Sequence, residues 1–133
     1  MSHNPRNQAE QSVLGGLLQR PELFDSICLT VTADDFFSDA HRLIFATIER
    51  MLTASMPVDV LTVAEALERK GAKESTGGLS YLAELAGNTV TANVKRYAEI
   101  VRDSSIERRL LAASQDVAGI IDRDGEDRAK VVA

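Results

Sequence analysis

The 133-residue sequence has few of the features that mark secreted and membrane proteins. It has one cysteine, Cys28, and a single thiol cannot form a disulfide within the chain. Disulfides persist mainly in oxidising compartments, so this composition suits a reducing one. No apolar run approaches the roughly 20 residues that span a bilayer, and the polar residues 1–10 lack the apolar core of a signal peptide. We therefore expect a cytoplasmic protein.

Residues that carry catalysis or bind metals are also scarce. The two histidines, His3 and His41, belong to no HxxxH pair, and the sequence has no cysteine pair that could complete a metal site. There is no phosphate-binding GxxxxGK[ST] motif, because no lysine follows Gly77 and Gly78 at the required place. We expect no catalytic, cofactor-binding or metal-binding residue here, and a structural or capping role for His41.

Two other groups have simple structural interpretations. Asp34 and Asp35 are adjacent carboxylates, but in the first turn of a helix adjacent acids usually interact with the helix dipole. Cys28 has no base near it in the sequence and is expected to be a small buried apolar residue. Neither group predicts catalysis.

A basic surface is missing as well. Residues 1–92 contain 7 Lys or Arg and 12 Asp or Glu, a net charge of −5, and residues 93–133 contain 8 of each. DNA binding through phosphates requires a basic surface, so the acidic body is better suited to a basic partner. The alternative function is a small helix-turn-helix DNA-binding regulator built from Leu61–Leu67 and Leu79–Ala86. Against it, the second of these helices offers Ser80 and Glu84 to the major groove but no Lys or Arg.

The sequence does contain clear helical periodicity. Apolar residues recur in steps of three and four, the spacing of one helix face, along several segments between residues 7 and 101. The predicted caps and breakers between these segments are Asn7 with Glu10, Pro21, Ser38 or Asp39, Asp59 and Gly71. We predict an all-α fold in which residues 1–6 form a disordered tail and residues 7–101 form a compact multi-helix body.

The pattern also predicts how parts of this body pack. Gly15 and Gly16 lie inside the first helix, which costs helix stability and indicates close approach of another helix. Less regular positions that we expect to face the core are Phe36, Phe37, Leu61, Ala64 and Leu67.

The longest periodic stretch is Asn93–Arg123, which has no proline. An unbroken helix of this length would extend about 45 Å, well beyond a body whose radius of gyration is roughly 14 Å. Its first apolar set ends at Val101 and should pack on the body. The second set starts five residues later, so it faces a different direction and would lack a cover within the chain. The residues that we predict to mediate self-association are Ile106, Leu110, Ala113, Val117, Ile120 and Ile121.

The same stretch carries a pair of arginines and a turn signal. Arg108 and Arg109 are interpreted first as a solvated face of the helix, with contact to a partner as the second interpretation. The run 122–125 (Asp-Arg-Asp-Gly) predicts a turn, and residues 127–133 predict the start of a returning helix. We interpret residues 102–133 as a helical hairpin, with its first arm and the start of its second, and the chain as a fragment cut within that hairpin.

Five sequence blocks, in order, resemble one known family. They are Ala9–Leu18; Asp35-Phe36 with His41 and Ile44-Phe45; Asp59 with Leu61–Ala64 and Leu67; Gly77-Gly78 with Tyr81–Leu85; and Ala92-Asn93 with Tyr97-Ala98, Ile100-Val101 and Arg109-Leu110. Together the blocks resemble the N-terminal domain of the DnaB-type replicative DNA helicases of bacteria and phages. The resemblance extends over residues 7–123.

The resemblance implies a fold and a set of partners. The fold would be an all-α body followed by a helical hairpin, which pairs with other copies to form a three-fold collar on a hexameric ring. The collar would dock primase. ATP and magnesium would bind a separate C-terminal RecA-like ATPase domain, absent from this sequence, and the full-length protein would contact DNA and a helicase loader. By this resemblance the fragment itself is catalytically silent and the full-length protein is an ATP-dependent DNA helicase.

Overall fold

The computed structural model describes residues 5–132, with side chains for residues 6–125, and this part of the chain is helical without a strand. The α-helices are α1 (Pro5–Gln19), α2 (Phe24–Ile27), α3 (Asp39–Thr53), α4 (Val60–Arg69), α5 (Lys73–Thr76), α6 (Gly78–Gly87) and α7 (Val94–Val132). Single 3-10 turns at Pro21–Leu23, Ala33–Asp35 and Thr91–Asn93 connect them. The predicted all-α class is confirmed.

The core forms around α1, which contacts α3, α6 and α7. Its residues Val13, Leu14 and Leu17 are fully buried. They meet an apolar face of α3 at the spacing that the sequence predicts, formed by Ile44, Phe45, Ile48 and Met51. Burying a side chain of this size stabilises the fold by about 1.5–3 kcal/mol, so this helix pair supplies much of the driving force.

Two glycines let α1 approach its neighbours closely, as predicted. A Cβ atom on Gly15 would overlap the carbonyl oxygen of Leu85 and the hydroxyl of Thr89. A Cβ atom on Gly16 would overlap the side chain of Val94 at the start of α7. The glycines therefore allow the end of α6 and the start of α7 to lie against the same turn of α1.

Side chains close the helix ends where the sequence indicated. Ser38 Oγ accepts a hydrogen bond of 3.3 Å from the backbone N–H of His41 at the start of α3. Asp59 and Thr62 form a reciprocal capping box on α4, with both hydrogen bonds at 2.8 Å. Beyond α4, Gly71 adopts φ +73°, the left-handed conformation expected of a glycine after a helix.

Several local predictions about the body are wrong. Helix α1 begins at Pro5 rather than Asn7, and Glu10 is buried instead of capping the helix start. Phe37 is 70% exposed although its neighbour Phe36 is fully buried. Leu61 is also exposed, whereas Val63 and Leu67 of the same helix are fully buried.

Two further body elements differ from the sequence prediction. The single turn α5 was not anticipated, because four residues are too few to show helical periodicity. Cys28 is half-buried rather than buried. Of the predicted disordered tail, residues 1–4 lie outside the described residues, and Pro5 and Arg6 begin α1.

The first part of α7 packs on the body as predicted, and the packed face extends further along the helix than predicted. Val94, Ala98 and Val101 are buried. The inner face then continues through Ser104 and Ser105, which are 7% and 1% exposed. The gap in the apolar pattern is therefore not the end of packing, because small hydroxyl side chains fill it where the helix still touches the body.

Helix α7 runs without interruption to Val132, so the predicted turn at 122–125 and the returning helix from 127 do not occur. Gly125 costs a helix only about 1 kcal/mol relative to alanine, which is too little to break it. The segment after it, residues 126–130, is mostly charged, so a reversal would bury little apolar surface. Local helix formation prevails for this reason.

Candidate assembly surface

The distal part of α7 presents an apolar stripe to solvent. We call this the distal stripe and define it as Ile106, Leu110, Ala113, Val117, Ile120 and Ile121, all of which are exposed. Leu110, for example, is 65% exposed and Val117 is 55% exposed. At 3.6 residues per turn the stripe lies about 130° around the helix from the face that packs on the body. The structure therefore brings all six predicted residues to one face of a projecting helix.

The charged character of this same face changes along α7. Where α7 lies on the body, the helix face that points away from the body carries Lys95, Arg96 and Glu99, which are charged and at least partly exposed. From Ile106 onward, the side chains on this face are apolar. Sequence reasoning missed Leu111, which is 60% exposed on a flank of the helix; its only signal was a second leucine directly after Leu110.

The base of the projecting segment is fixed to the body by a cluster that we call the α7 anchor: Asp35, Phe37, Arg108 and Arg109. Arg108 donates a 2.8 Å hydrogen bond from Nη2 to the carbonyl oxygen of Asp35, and its guanidinium carbon lies 5.2 Å from the centre of the Phe37 ring. Arg109 Nη2 lies 3.1 Å from Asp35 Oδ1. The first interpretation of the pair as a solvated face is therefore wrong for Arg108, which is half-buried, whereas Arg109 pairs with Asp35 and still has a side chain that is 61% exposed.

Asp35 can accept these contacts because its own turn orients it. The Thr32 backbone N–H donates a 2.8 Å hydrogen bond to Asp35 Oδ2, which forms a capping box on the turn Ala33–Asp35. The other carboxylate oxygen is left for Arg109. A capping acid of the body therefore also determines where α7 leaves it.

A buried polar network lies next to the anchor and joins three helices. His41 of α3 contacts Glu10 of α1 through Nδ1, at 2.8 Å from Oε1, and Tyr81 of α6 through Nε2, at 2.6 Å from the phenol oxygen. Glu10 also accepts hydrogen bonds from the backbone N–H groups of Phe37, at 2.7 Å, and Ser38, at 3.3 Å. His41 therefore has the structural role that the sequence predicted.

The network positions the chain segment that carries the anchor. Glu10 holds the backbone of Phe37, so the exposed Phe37 ring is placed beneath Arg108. Tyr81 also accepts a 3.2 Å hydrogen bond from Gln11. Burial raises the pKa of the Tyr81 phenol; the hydrogen bond from Gln11 opposes this rise, and the charges of Glu84 and Glu10 add to it. Sequence reasoning missed Glu10, because a buried acid within a helix has no short-range signal.

Other kinds of site find little support in the described residues. Within them, no group of three or more His, Cys, Asp or Glu residues is placed to hold a metal ion. No helix described here is long and apolar enough to cross a bilayer. The helix-turn-helix alternative is not favoured, because the exposed face of α6 carries Leu79, Ser80 and Glu84 without a basic side chain.

Comparison with known proteins agrees with this architecture. A family model described as the DnaB-like helicase N-terminal domain matches residues 2–103. The replicative DNA helicase DnaB of Pasteurella multocida is 47% identical over 112 residues, which are 84% of this chain and 24% of that protein. That of Buchnera aphidicola subsp. Acyrthosiphon pisum is 54% identical over 82 residues, 62% of this chain and 18% of that protein. The chain thus spans about a quarter or less of the length of these relatives.

Solved structures show the same fold. The N-terminal domain of DnaB helicase from Mycobacterium tuberculosis superposes with a TM-score of 0.80 at 33% identity, covering 86% of this chain and 89% of that one. A DnaB-like replicative helicase, described together with its interactions with primase, gives a TM-score of 0.73 at 27% identity, over 87% of this chain and 28% of that one. On the family match and these relatives, the chain belongs to the DnaB-like helicase N-terminal domain family.

Proposed function

We propose that this chain is the assembly and primase-docking domain of a hexameric replicative DNA helicase. In this proposal it pairs with other copies and contributes to a dimeric and three-fold collar. The full-length protein would unwind DNA at the replication fork in the cytoplasm, using ATP and magnesium bound by a separate C-terminal domain. Contacts with DNA and with a helicase loader would be made by the full-length protein rather than by these residues.

The observation that carries the proposal is the exposure of the distal stripe. Isolated exposed apolar residues are ordinary, but a continuous apolar stripe on a helix that projects from the body favours a binding surface. Burying a leucine or isoleucine that was exposed contributes about 1.5–3 kcal/mol. Covering several such residues between two copies would supply the free energy for pairing. In the assembled protein the distal part of α7 would pack against a helix of another copy.

Partner contact by Arg108 and Arg109 stays a secondary part of the proposal. Both side chains already engage the α7 anchor, so a partner would have to share or displace the contacts to Asp35. Primase docking is proposed because a family relative has been described together with its interactions with primase.

The assembly proposal is tested by charging the distal stripe. We expect the double variant Leu110→Asp and Val117→Asp to lower the weight-average mass in sedimentation equilibrium, because carboxylates would be buried without a partner on pairing. The matched control is Leu29→Asp, since Leu29 is 85% exposed on the body and outside the stripe. Equal masses for the wild type and the double variant at assembling concentrations would contradict the proposal.

A further inference from the structure

A groove on the body, well separated in sequence from the distal stripe, combines an apolar floor with a basic rim. It lies between the end of α3 and α4 and has a volume of about 360 Å³. Its accessible apolar lining includes Ala54, Met56, Pro57 and Ala66, whereas Met51, which also lines it, is only 1% exposed. We call it the α3–α4 groove. Methionine side chains are flexible and polarizable, which suits a surface that adapts to a partner.

The end of α3 shapes the mouth of the groove. Ser55 adopts φ +58°, a left-handed conformation that is unusual for a residue other than glycine. The turn is held by hydrogen bonds from Ser55 N–H to Leu52 O, at 3.0 Å, and from Met56 N–H to Met51 O, at 2.9 Å. This turn leaves Met56 49% exposed at the groove instead of burying it in the core.

The rim carries two positive charges that form no ion pair with any residue whose side chain the structure describes. Arg69 pairs with Glu65 at 2.6 Å. Arg50 and Lys70 are exposed, and among the described residues neither forms an ion pair. Burial, and then the nearby charge of Arg50, lowers the pKa of Lys70, so the two cations disfavour each other in the free protein. On a chain of net charge −5, this is a local site for an anionic group.

We propose that the α3–α4 groove docks a short amphipathic segment of a partner protein, with apolar side chains against Met56 and Pro57 and carboxylates facing Arg50 and Lys70. The complementary charges would orient the segment, and the apolar floor would supply most of the affinity. The groove belongs to α3 and α4, so the proposal does not depend on assembly through α7.

A nucleic acid fits the groove less well than a peptide does. Tight binding of a nucleic acid rests on many phosphate contacts, whereas this rim has two cations without an ion pair. Single strands also stack their bases on aromatic side chains, and the residues that line this groove include no aromatic one. An apolar floor flanked by a few cations matches a peptide helix with apolar and acidic residues.

The test uses a synthetic amphipathic peptide of about four helical turns as the probe. One version has leucine and methionine on one face, flanked by glutamates; the control version has lysine at every glutamate position. Binding is followed by chemical shifts of the ¹⁵N-labelled chain. We expect the glutamate peptide to shift amides of α3 and α4 around the groove, and to bind at least about tenfold more tightly than the lysine peptide.

Variants of the chain distinguish the contribution of the rim to peptide binding from that of the floor. The double variant Arg50→Glu and Lys70→Glu should weaken the glutamate peptide about tenfold or more and improve the lysine peptide. Met56→Ser should weaken both peptides by a similar factor, because it removes apolar surface from the floor. The control Lys95→Glu with Arg96→Glu makes the same change of charge on exposed positions of α7 and should leave the affinity unchanged.

Several results would overturn the proposal. These are no binding of the glutamate peptide, equal affinity for both peptides, unchanged affinity in the Arg50→Glu and Lys70→Glu variant, or shifts confined to α7. Circular dichroism of each variant checks that the fold is kept. A single-stranded oligothymidylate that binds the groove more tightly than the glutamate peptide, and is lost in the same double variant, would assign the groove to nucleic acid instead.

Discussion

The two halves of α7 belong to one unbroken helix and have opposite surroundings. The proximal half buries Val94, Ala98 and Val101 against the body. In the distal half, every side chain from Ile106 to Gly125 is exposed except that of Arg108, which is half-buried in the anchor. The change comes where the α7 anchor ends the contact with the body. Helical periodicity alone therefore does not distinguish a buried face from an exposed one; the extent of the body along the helix decides which of the two an apolar stripe becomes.

The largest expected difference between the halves comes from one substitution made in both. Val101→Asp places a charge in the core without a partner and should cost at least about 3 kcal/mol of unfolding free energy. Val117→Asp at monomeric concentrations should change the unfolding free energy by less than about 0.5 kcal/mol. Urea denaturation followed by circular dichroism measures both. Similar losses for the two variants would mean that the distal half is covered within the monomer.

Replacing a glycine by alanine should change the stability of the chain in opposite directions in α1 and in distal α7. Gly15→Ala should destabilise the chain by about 2 kcal/mol, because the new Cβ meets the Leu85 backbone, which cannot move aside easily. Gly119→Ala should stabilise it by about 0.5–1 kcal/mol, since a Cβ on Gly119 meets open space in a helix. Thermal denaturation gives both values. If Gly15→Ala were as stable as the wild type, the contact between α1 and α6 would be looser in solution than it is in the structure.

The anchor should have a smaller effect that is confined to the boundary between the halves. Arg108→Ala removes the hydrogen bond to Asp35 and the contact with Phe37, and should cost about 1 kcal/mol. It should also speed amide hydrogen exchange in the turn around Arg108. The control is Arg102→Ala, because Arg102 pairs with its neighbour Asp103 alone among the described residues. Equal exchange rates in both variants would show that the contacts of Arg108 do not hold α7 at this boundary.

The smallest expected effect is a loss of stability of the body at alkaline pH. Burial, opposed by Gln11 and reinforced by Glu84 and Glu10, raises the pKa of Tyr81 above its ordinary value of 10.0. The unfolded chain therefore loses this proton at lower pH than the folded one. The contribution of Tyr81 to stability is complete below pH 10.0 and declines as the pH rises through its folded pKa.

Chemical denaturation between neutral pH and about pH 11 measures this decline. Tyr81→Phe should make the unfolding free energy fall less steeply with pH. It also removes the hydrogen bond to His41 and so lowers stability at neutral pH. An unchanged slope in Tyr81→Phe would assign the decline to other groups.

The sequence allowed prediction of those features that depend on near neighbours in the chain. The spacing of Ile44, Phe45 and Ile48 predicts α3 and its buried face, and Asp59 and Gly71 mark the ends of α4 because capping is local chemistry. The six residues of the distal stripe were found in the same way. Their exposure also follows from comparing the length of the helix with the size of the body.

The features that the sequence did not predict depend on tertiary contacts. Glu10 resembled a capping residue, yet it accepts hydrogen bonds from residues 27, 28 and 31 positions away in the chain. Arg108 and Arg109 resembled solvated charges, because their partner Asp35 lies 73 and 74 positions earlier. The turn at 122–125 was predicted from its composition, and the unbroken helix shows that composition alone does not reverse a chain.

Solvent access along α7 shows whether another helix covers the distal stripe in the assembled protein. A polarity-sensitive fluorophore is attached to cysteine at Val117, in the stripe, or at Gln115, on the opposite side of α7, with Cys28→Ser in both variants of the full-length protein. If another helix covers the stripe, we expect blue-shifted emission at Val117 with protection from acrylamide quenching, and quenching at Gln115 like that of a solvent-exposed fluorophore. Equal, solvent-like quenching at both positions would contradict it.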